Sequence, residues 1–162
     1  MIAAQVLLEG VARPLLILHA IVGFAAVASA THLAVHACLS LRNRGASGLR
    51  RFAVIAPACA VPQFALGLLL YPAYRMRVRL PDFDRNAPLV AQLFDFKEHL
   101  AAIGVVLVIA AALLARGLSK EPQGAPDLRP ALAAVSTAGA ALMWMVAVLG
   151  LYVTARHPVG MP

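Results

Sequence analysis

The chain has 162 residues, of which 62% are apolar and only 13% are charged, and its mean hydropathy is +0.82. This composition excludes an ordinary soluble domain, because so few charged side chains could not cover a water-facing surface. A net charge of +7 would suggest nucleic-acid binding in a soluble protein. Here the basic residues flank long apolar runs, where they orient helices and meet anionic lipid headgroups. The composition therefore predicts a membrane protein with lipid, and no nucleic acid, as its partner.

Three long runs contain no Asp, Glu, Lys or Arg, at 14–41, 52–74 and 130–155. Each is at least as long as the roughly 20 residues that cross the hydrocarbon core of a bilayer. A fourth run, 99–115, is shorter and takes Phe94 and Phe96 as its interfacial start.

These runs predict an all-α fold, an integral membrane four-helix bundle that forms a single domain over residues 1–162. The predicted helices cover about 14–41, 52–74, 94–116 and 129–154, with a polar loop at 75–93. Asp127 is expected to cap the fourth helix, with Pro130 in its first turn.

Charge asymmetry predicts an orientation. Basic residues are equally numerous on both sides of the bundle, but the arginines of the 42–51 linker have no acidic residue among them. Short basic loops stay in the cytoplasm, so we expect both termini and the 71–99 stretch to face the periplasm. All but two of the fourteen basic residues are Arg, a bias that favours a bacterial inner membrane.

The 71–99 stretch holds most of the chain's acidic residues beside several basic ones, and it marks the end of the bundle where we expect function. Two histidines lie near this end. At ~1.5 Å per residue, His19 is ~10 Å from the middle of the first helix and His99 is ~13 Å from the middle of the third. In a ring of four helices these two are diagonal neighbours, so both imidazoles could ligate one haem b iron.

Other groups at that end would support a haem or a quinone. Arg75 and Arg156 would meet haem propionates, and Tyr71 and Tyr74 would line the cofactor. The alternative is that the tyrosines form an aromatic belt and that His19 bonds a neighbouring helix.

Asp95, Glu98 and His99 have the spacing of one helical face. A carboxylate beside a bound haem or quinone could accept protons during redox chemistry, so Asp95 and Glu98 are candidate proton-transfer groups. Acids in a first helical turn are also favoured by the helix dipole alone.

A second candidate site lies in the other half of the membrane. His32 and His36 are four residues apart and share a helix face. With Cys59 they could form a metal site of His/His/Cys type, although a fourth ligand is missing. Otherwise they face a partner subunit or hold hydrogen bonds within the bundle. Gln63, beside Pro57 and Pro62, is expected to bond backbone carbonyls freed by a proline kink.

The sequence thus favours a small membrane subunit of a redox or respiratory assembly, at most an electron-transfer oxidoreductase, binding haem b or quinone. A cofactor-free structural subunit of a larger complex and a small metal or solute carrier are the alternatives. Other membrane subunits or further copies of the chain are the expected protein partners.

Overall fold

A computed structural model describes residues 9–42, 46–118 and 127–156. After a short 3₁₀ turn (Glu9–Val11), its long helices are α1 (Ala12–Ser40), α2 (Ala46–Tyr74), α3 (Pro88–Leu118) and α4 (Arg129–Arg156). The described part of the chain contains no strand, so the predicted all-α fold is confirmed.

All four helices are long and apolar enough to cross a membrane, and the most apolar stretch of each has a mean hydropathy between 1.9 and 2.3. Large apolar side chains cover the outside of the bundle; Phe24 is 79% exposed and Leu151 is 73% exposed. An apolar surface of this extent on helices of spanning length is typical of a bundle that faces lipid. The chain is therefore a multi-pass membrane protein in contact with the bilayer.

The helices form a ring. α1 packs against α2 and α4, and α3 packs against the same two helices. Helices α1 and α3 are consequently diagonal across the bundle, as the sequence predicted.

We expected a polar loop at 75–93, and this prediction is wrong. The chain continues from α2 into a π-helical segment (Arg75–Phe83) and one further turn (Asp84–Asn86). Exposed side-chain hydrogen bonds link the polar residues of this segment: Asn86 Nδ2 donates to Asp82 Oδ1 at 2.9 Å, and Arg79 Nε donates to Asp84 at 3.4 Å.

The reversal of direction takes place at a single residue, Ala87, with φ −144° and ψ 60°. Pro88 follows it, and proline disfavours the helical region for the residue before it while fitting the first position of a helix. Helix α3 therefore begins at Pro88, earlier than the predicted start near 94.

The start of α4 agrees with prediction. Asp127 Oδ1 accepts a hydrogen bond from the backbone N–H of Arg129 at 3.0 Å. This satisfies one of the donors that a helix N-terminus leaves without an intrahelical partner.

Two apolar clusters fill the interior. The larger one, toward the 42–51 end, is dominated by alanines such as Ala26, Ala37, Ala56, Ala60 and Ala111, each essentially inaccessible. Small side chains let membrane helices approach closely. The smaller cluster lies at the opposite end, around Phe83 and Phe94.

Candidate functional site

A hydrogen bond between α1 and α2 lies at the centre of the candidate site. Gln63 Nε2 is 3.1 Å from His19 Nε2. We expected the Gln63 amide to bond carbonyls of its own helix, and this expectation was wrong: it reaches across to α1. The alternative that we kept for His19, a bond to a neighbouring helix, is what the structure shows.

Glycines make room for the polar side chains of this region. A methyl group at Gly23 would lie 2.9 Å from Gln63 Nε2, and one at Gly67 would lie 3.4 Å from His19 Cε1. The Lys97 chain passes Gly150 of α4 in the same way, with Cδ 3.9 Å from the position of a methyl group. Each polar side chain therefore lies opposite a residue without a side chain.

Lys97 and Glu98 bring two charges from α3 to the same region. Lys97 Nζ is 2.6 Å from a Glu98 carboxylate oxygen, and their side chains are only 13% and 25% exposed. The site thus includes groups from three helices, α1, α2 and α3.

An aromatic stack forms the outer part of the site. The ring of Tyr74 stacks on Phe94 at a centroid distance of 4.1 Å, and Tyr71 stacks on the same ring at 6.1 Å. The Lys97 ammonium lies 4.8 Å from the Phe94 centroid. The attraction between a cation and an aromatic ring is stronger when the cation is partly desolvated, as the Lys97 side chain is here. Tyr71 and Tyr74 are therefore partly buried against the smaller apolar cluster.

An ion pair holds the π-helical segment against α3. Both terminal nitrogens of Arg79 donate to the carboxylate of Asp95, and the Nη2–Oδ2 distance is 2.9 Å. Such bidentate pairing is geometrically specific and stronger than a neutral hydrogen bond. It gives Asp95 a structural partner, whereas the sequence predicted a proton-transfer role for this residue.

His99 lies apart from His19. Its ring is exposed, and Nδ1 donates to the Asp95 carbonyl of its own helix at 2.7 Å. His19 instead lies between α1 and α2. The structure thus leaves His99 on the bundle surface, and shared ligation of one iron stays a prediction that would require the His99 ring to turn inward.

The two arginines predicted to contact a cofactor lie on the surface. Arg75 is exposed at the start of the π-helical segment. Arg156 is also exposed, with its guanidinium 5.0 Å from the Tyr152 centroid. Neither is brought to His19.

The alternative metal site is not assembled in the described part of the chain, where no group of three or more potential ligands occurs. His32 and His36 instead both stack on the ring of Phe52, at centroid distances of 4.7 and 5.6 Å. Cys59 packs against the alanine-rich cluster.

The site leaves three buried polar atoms without a hydrogen-bond partner, namely His19 Nδ1, Gln63 Oε1 and the Tyr74 hydroxyl. Gln63, Gly67 and Tyr74 are four and then seven residues apart, which places them on one face of α2. Sequence reasoning missed the role of Gln63 and the glycines. From the observed helix ends Ser40 and Ala46, His19 and Gly67 each lie 21 residues into their helix. The predicted linker 42–51 would instead have put His19 opposite Tyr74, so the pairing could not be found from the sequence.

Comparison with protein-family models, with curated proteins and with solved structures found no significant match to this chain.

Proposed function

We propose that this chain is a small membrane subunit of a redox or respiratory assembly that binds a quinone headgroup at the end of the bundle bearing the 71–99 stretch. The observation that carries the proposal is the set of three buried polar atoms without partners on α1 and α2. An unmade hydrogen bond of a buried group costs about 1–3 kcal/mol. A ligand that lies along α2 and reaches from the His19–Gln63 pair toward Tyr74, eleven residues or ~16 Å farther along the helix axis, would recover that cost.

The chemistry of these atoms suits a quinone. When the Gln63 amide nitrogen donates to His19 Nε2, the ring proton resides on Nδ1. His19 and Tyr74 then each offer a donor, and Gln63 offers an acceptor. A quinone presents two carbonyl acceptors on a flat apolar ring, and its reduced form presents two hydroxyl donors. Ligand sites of this kind combine apolar walls with a few polar groups that fix orientation, and Tyr71 and Phe94 supply the walls.

A bound quinone supplies two-electron, two-proton redox chemistry. The residues that would hold it are His19, Gln63 and Tyr74, and Glu98 is the carboxylate that we propose exchanges a proton with it. Both carboxylate oxygens of Asp95 accept hydrogen bonds from Arg79, whereas Lys97 contacts Glu98 at one oxygen, so we assign the proton-transfer role to Glu98.

The orientation belongs to the same proposal, with both termini and the site facing the periplasm of a bacterial inner membrane. The partner that exchanges electrons with the quinone would be another membrane subunit or a further copy of this chain. Reporter fusions at the C-terminus and in the 42–51 linker test the orientation, and a cytoplasmic C-terminus would contradict it.

The function is tested by extracting the lipids of the purified protein and quantifying quinone per chain. We expect close to one equivalent in the wild type after quinone is added in excess, and a large loss in His19→Ala. His32→Ala, a histidine of the same helix outside the site, should retain the quinone. Quinone loss in both variants, or none in either, would contradict the proposal.

An absorption spectrum of the same sample distinguishes the haem hypothesis. A reduced-minus-oxidised b-type signal that disappears in His19→Ala and in His99→Ala would replace quinone by haem b. A colourless protein without quinone would favour the cofactor-free structural subunit.

A further inference from the structure

A groove between α1 and α4 lies in the half of the bundle opposite the candidate site. Its volume is about 660 Å³, within the range of ligand-sized pockets. Its walls are apolar, with Ala34, Val35 and Leu39 on α1 and Ala140 and Ala141 on α4. It opens sideways from the bundle, where the bilayer lies.

The two ends of the groove differ in chemistry. The inner end is closed by Trp144, whose indole N–H donates to Thr31 Oγ1 at 3.0 Å. The outer end carries Arg42, which is exposed at the end of α1. The groove therefore runs from the interior of the membrane to a cation at its surface.

Its length corresponds to one leaflet. Thr31 and Arg42 are eleven residues apart on α1, which is ~16 Å along the helix axis. Half of the hydrocarbon core of a bilayer is about 15 Å thick. An acyl chain that enters at the membrane surface would thus reach the Trp144 end.

Charge determines which lipid fits. Arg42 opens the 42–51 linker, which contains three more arginines and no acidic residue. A cluster of basic residues beside a membrane attracts anionic headgroups at about 1 kcal/mol per residue. A zwitterionic headgroup would bring a second cation to this surface and gain less.

We propose that this groove binds one anionic phospholipid, with an acyl chain between α1 and α4 and the phosphate at Arg42. The proposal concerns the half of the bundle away from the quinone site and stands independently of it.

Trp144 provides the measurement, because it is the chain's single tryptophan and it is 53% exposed at the groove. The full chain is reconstituted into vesicles of mixed phosphatidylglycerol and phosphatidylcholine, with mid-chain bromine on one lipid or on the other. We expect stronger quenching of Trp144 by brominated phosphatidylglycerol, corresponding to about a fivefold preference. Equal quenching by the two lipids would overturn the proposal.

Two variants test which arginine causes the preference for phosphatidylglycerol. Arg42→Gln should remove it, whereas Arg51→Gln, an exposed arginine at the same membrane face and outside the groove lining, should retain it. A preference that survives Arg42→Gln would overturn the assignment of the phosphate. Trp144 unquenched by either lipid would mean that protein, as in a second copy of the chain, covers the groove, and this would also overturn the proposal.

A third variant tests the acyl chain. Ala141 lines the groove and is exposed, so Ala141→Phe fills the groove without disturbing the core. Native mass spectrometry should then show loss of the phosphatidylglycerol molecule that the wild type retains. Unchanged retention would contradict binding within the groove.

Discussion

The two halves of the bundle are packed with different side chains. Toward the 42–51 end, alanines such as Ala56, Ala60 and Ala111 allow the helices to touch, and these side chains have no polar groups to satisfy. Toward the 71–99 end, aromatic rings pack beside partly exposed ion pairs, and three buried polar atoms of the described residues lack partners, against one, His36 Nδ1, in the other half. The difference indicates a rigid apolar scaffold at one end and a site capable of binding at the other.

The largest expected effect on stability comes from overpacking the alanine-rich half of the bundle. Ala60→Leu adds three carbons where Ala60 is completely buried, so overpacking should lower the free energy of unfolding by about 1–3 kcal/mol. Ala58→Leu, two residues away on the exposed side of α2, should change stability little. The measurement is the thermal midpoint in detergent, and equal loss in both variants would show that the alanine interface is not close-packed.

An intermediate effect is expected when the Arg79–Asp95 ion pair at the other end of the bundle is removed. Arg79→Gln removes both hydrogen bonds to Asp95, and hydrogen bonds to charged groups contribute roughly 1.5–3 kcal/mol when buried. Because Asp95 remains 43% exposed, we expect a loss of about 1 kcal/mol. Arg85→Gln, at an exposed arginine of the neighbouring turn, is the control. A stable Arg79→Gln protein would mean that the π-helical segment does not depend on this pair.

The smallest expected effect on stability comes from removing the Tyr74 hydroxyl, and this variant tests the difference between the two halves of the bundle most directly. Tyr74→Phe removes a buried hydroxyl that has no partner, so the free energy of unfolding should stay unchanged or rise by up to about 1 kcal/mol. The same variant should lose quinone, because the hydroxyl is a proposed donor to it. Tyr152→Phe, at the exposed surface, should change neither property. If Tyr74→Phe destabilises the protein, the hydroxyl has a structural role instead.

Much of the architecture could be predicted from sequence because lipid imposes simple rules. A charge-free run such as 14–41 is expected to be helical, because a continuous apolar segment of this length satisfies all its backbone groups within a bilayer as a helix. These rules did not predict the structure of the region 75–93. Pro81 and the alternating charges are typical of a loop, yet pairing of Arg79 with Asp84 and Asp95 keeps this segment helical. Such tertiary pairing leaves no periodic pattern in a sequence.

The site could be predicted only in part. Hydropathy identified His19 as an ionisable group in an apolar helix, and helix direction indicated its membrane depth. The direction in which each side chain points around the helix axis determines which residues reach the site. His99 turns to the surface, whereas Lys97 turns toward α4. An error of one residue changes this direction by about 100°, so spacing alone could not separate the two.

Infrared spectroscopy of a carbonyl-labelled quinone in the reconstituted protein tests the central claim most directly. Hydrogen bonds from His19 and Tyr74 should lower the stretching frequency of the quinone carbonyls relative to the same quinone in protein-free vesicles. In Tyr74→Phe one of the two lowered bands should return to the protein-free frequency. Bands at the protein-free frequency in the wild type would contradict quinone binding at this end of the bundle.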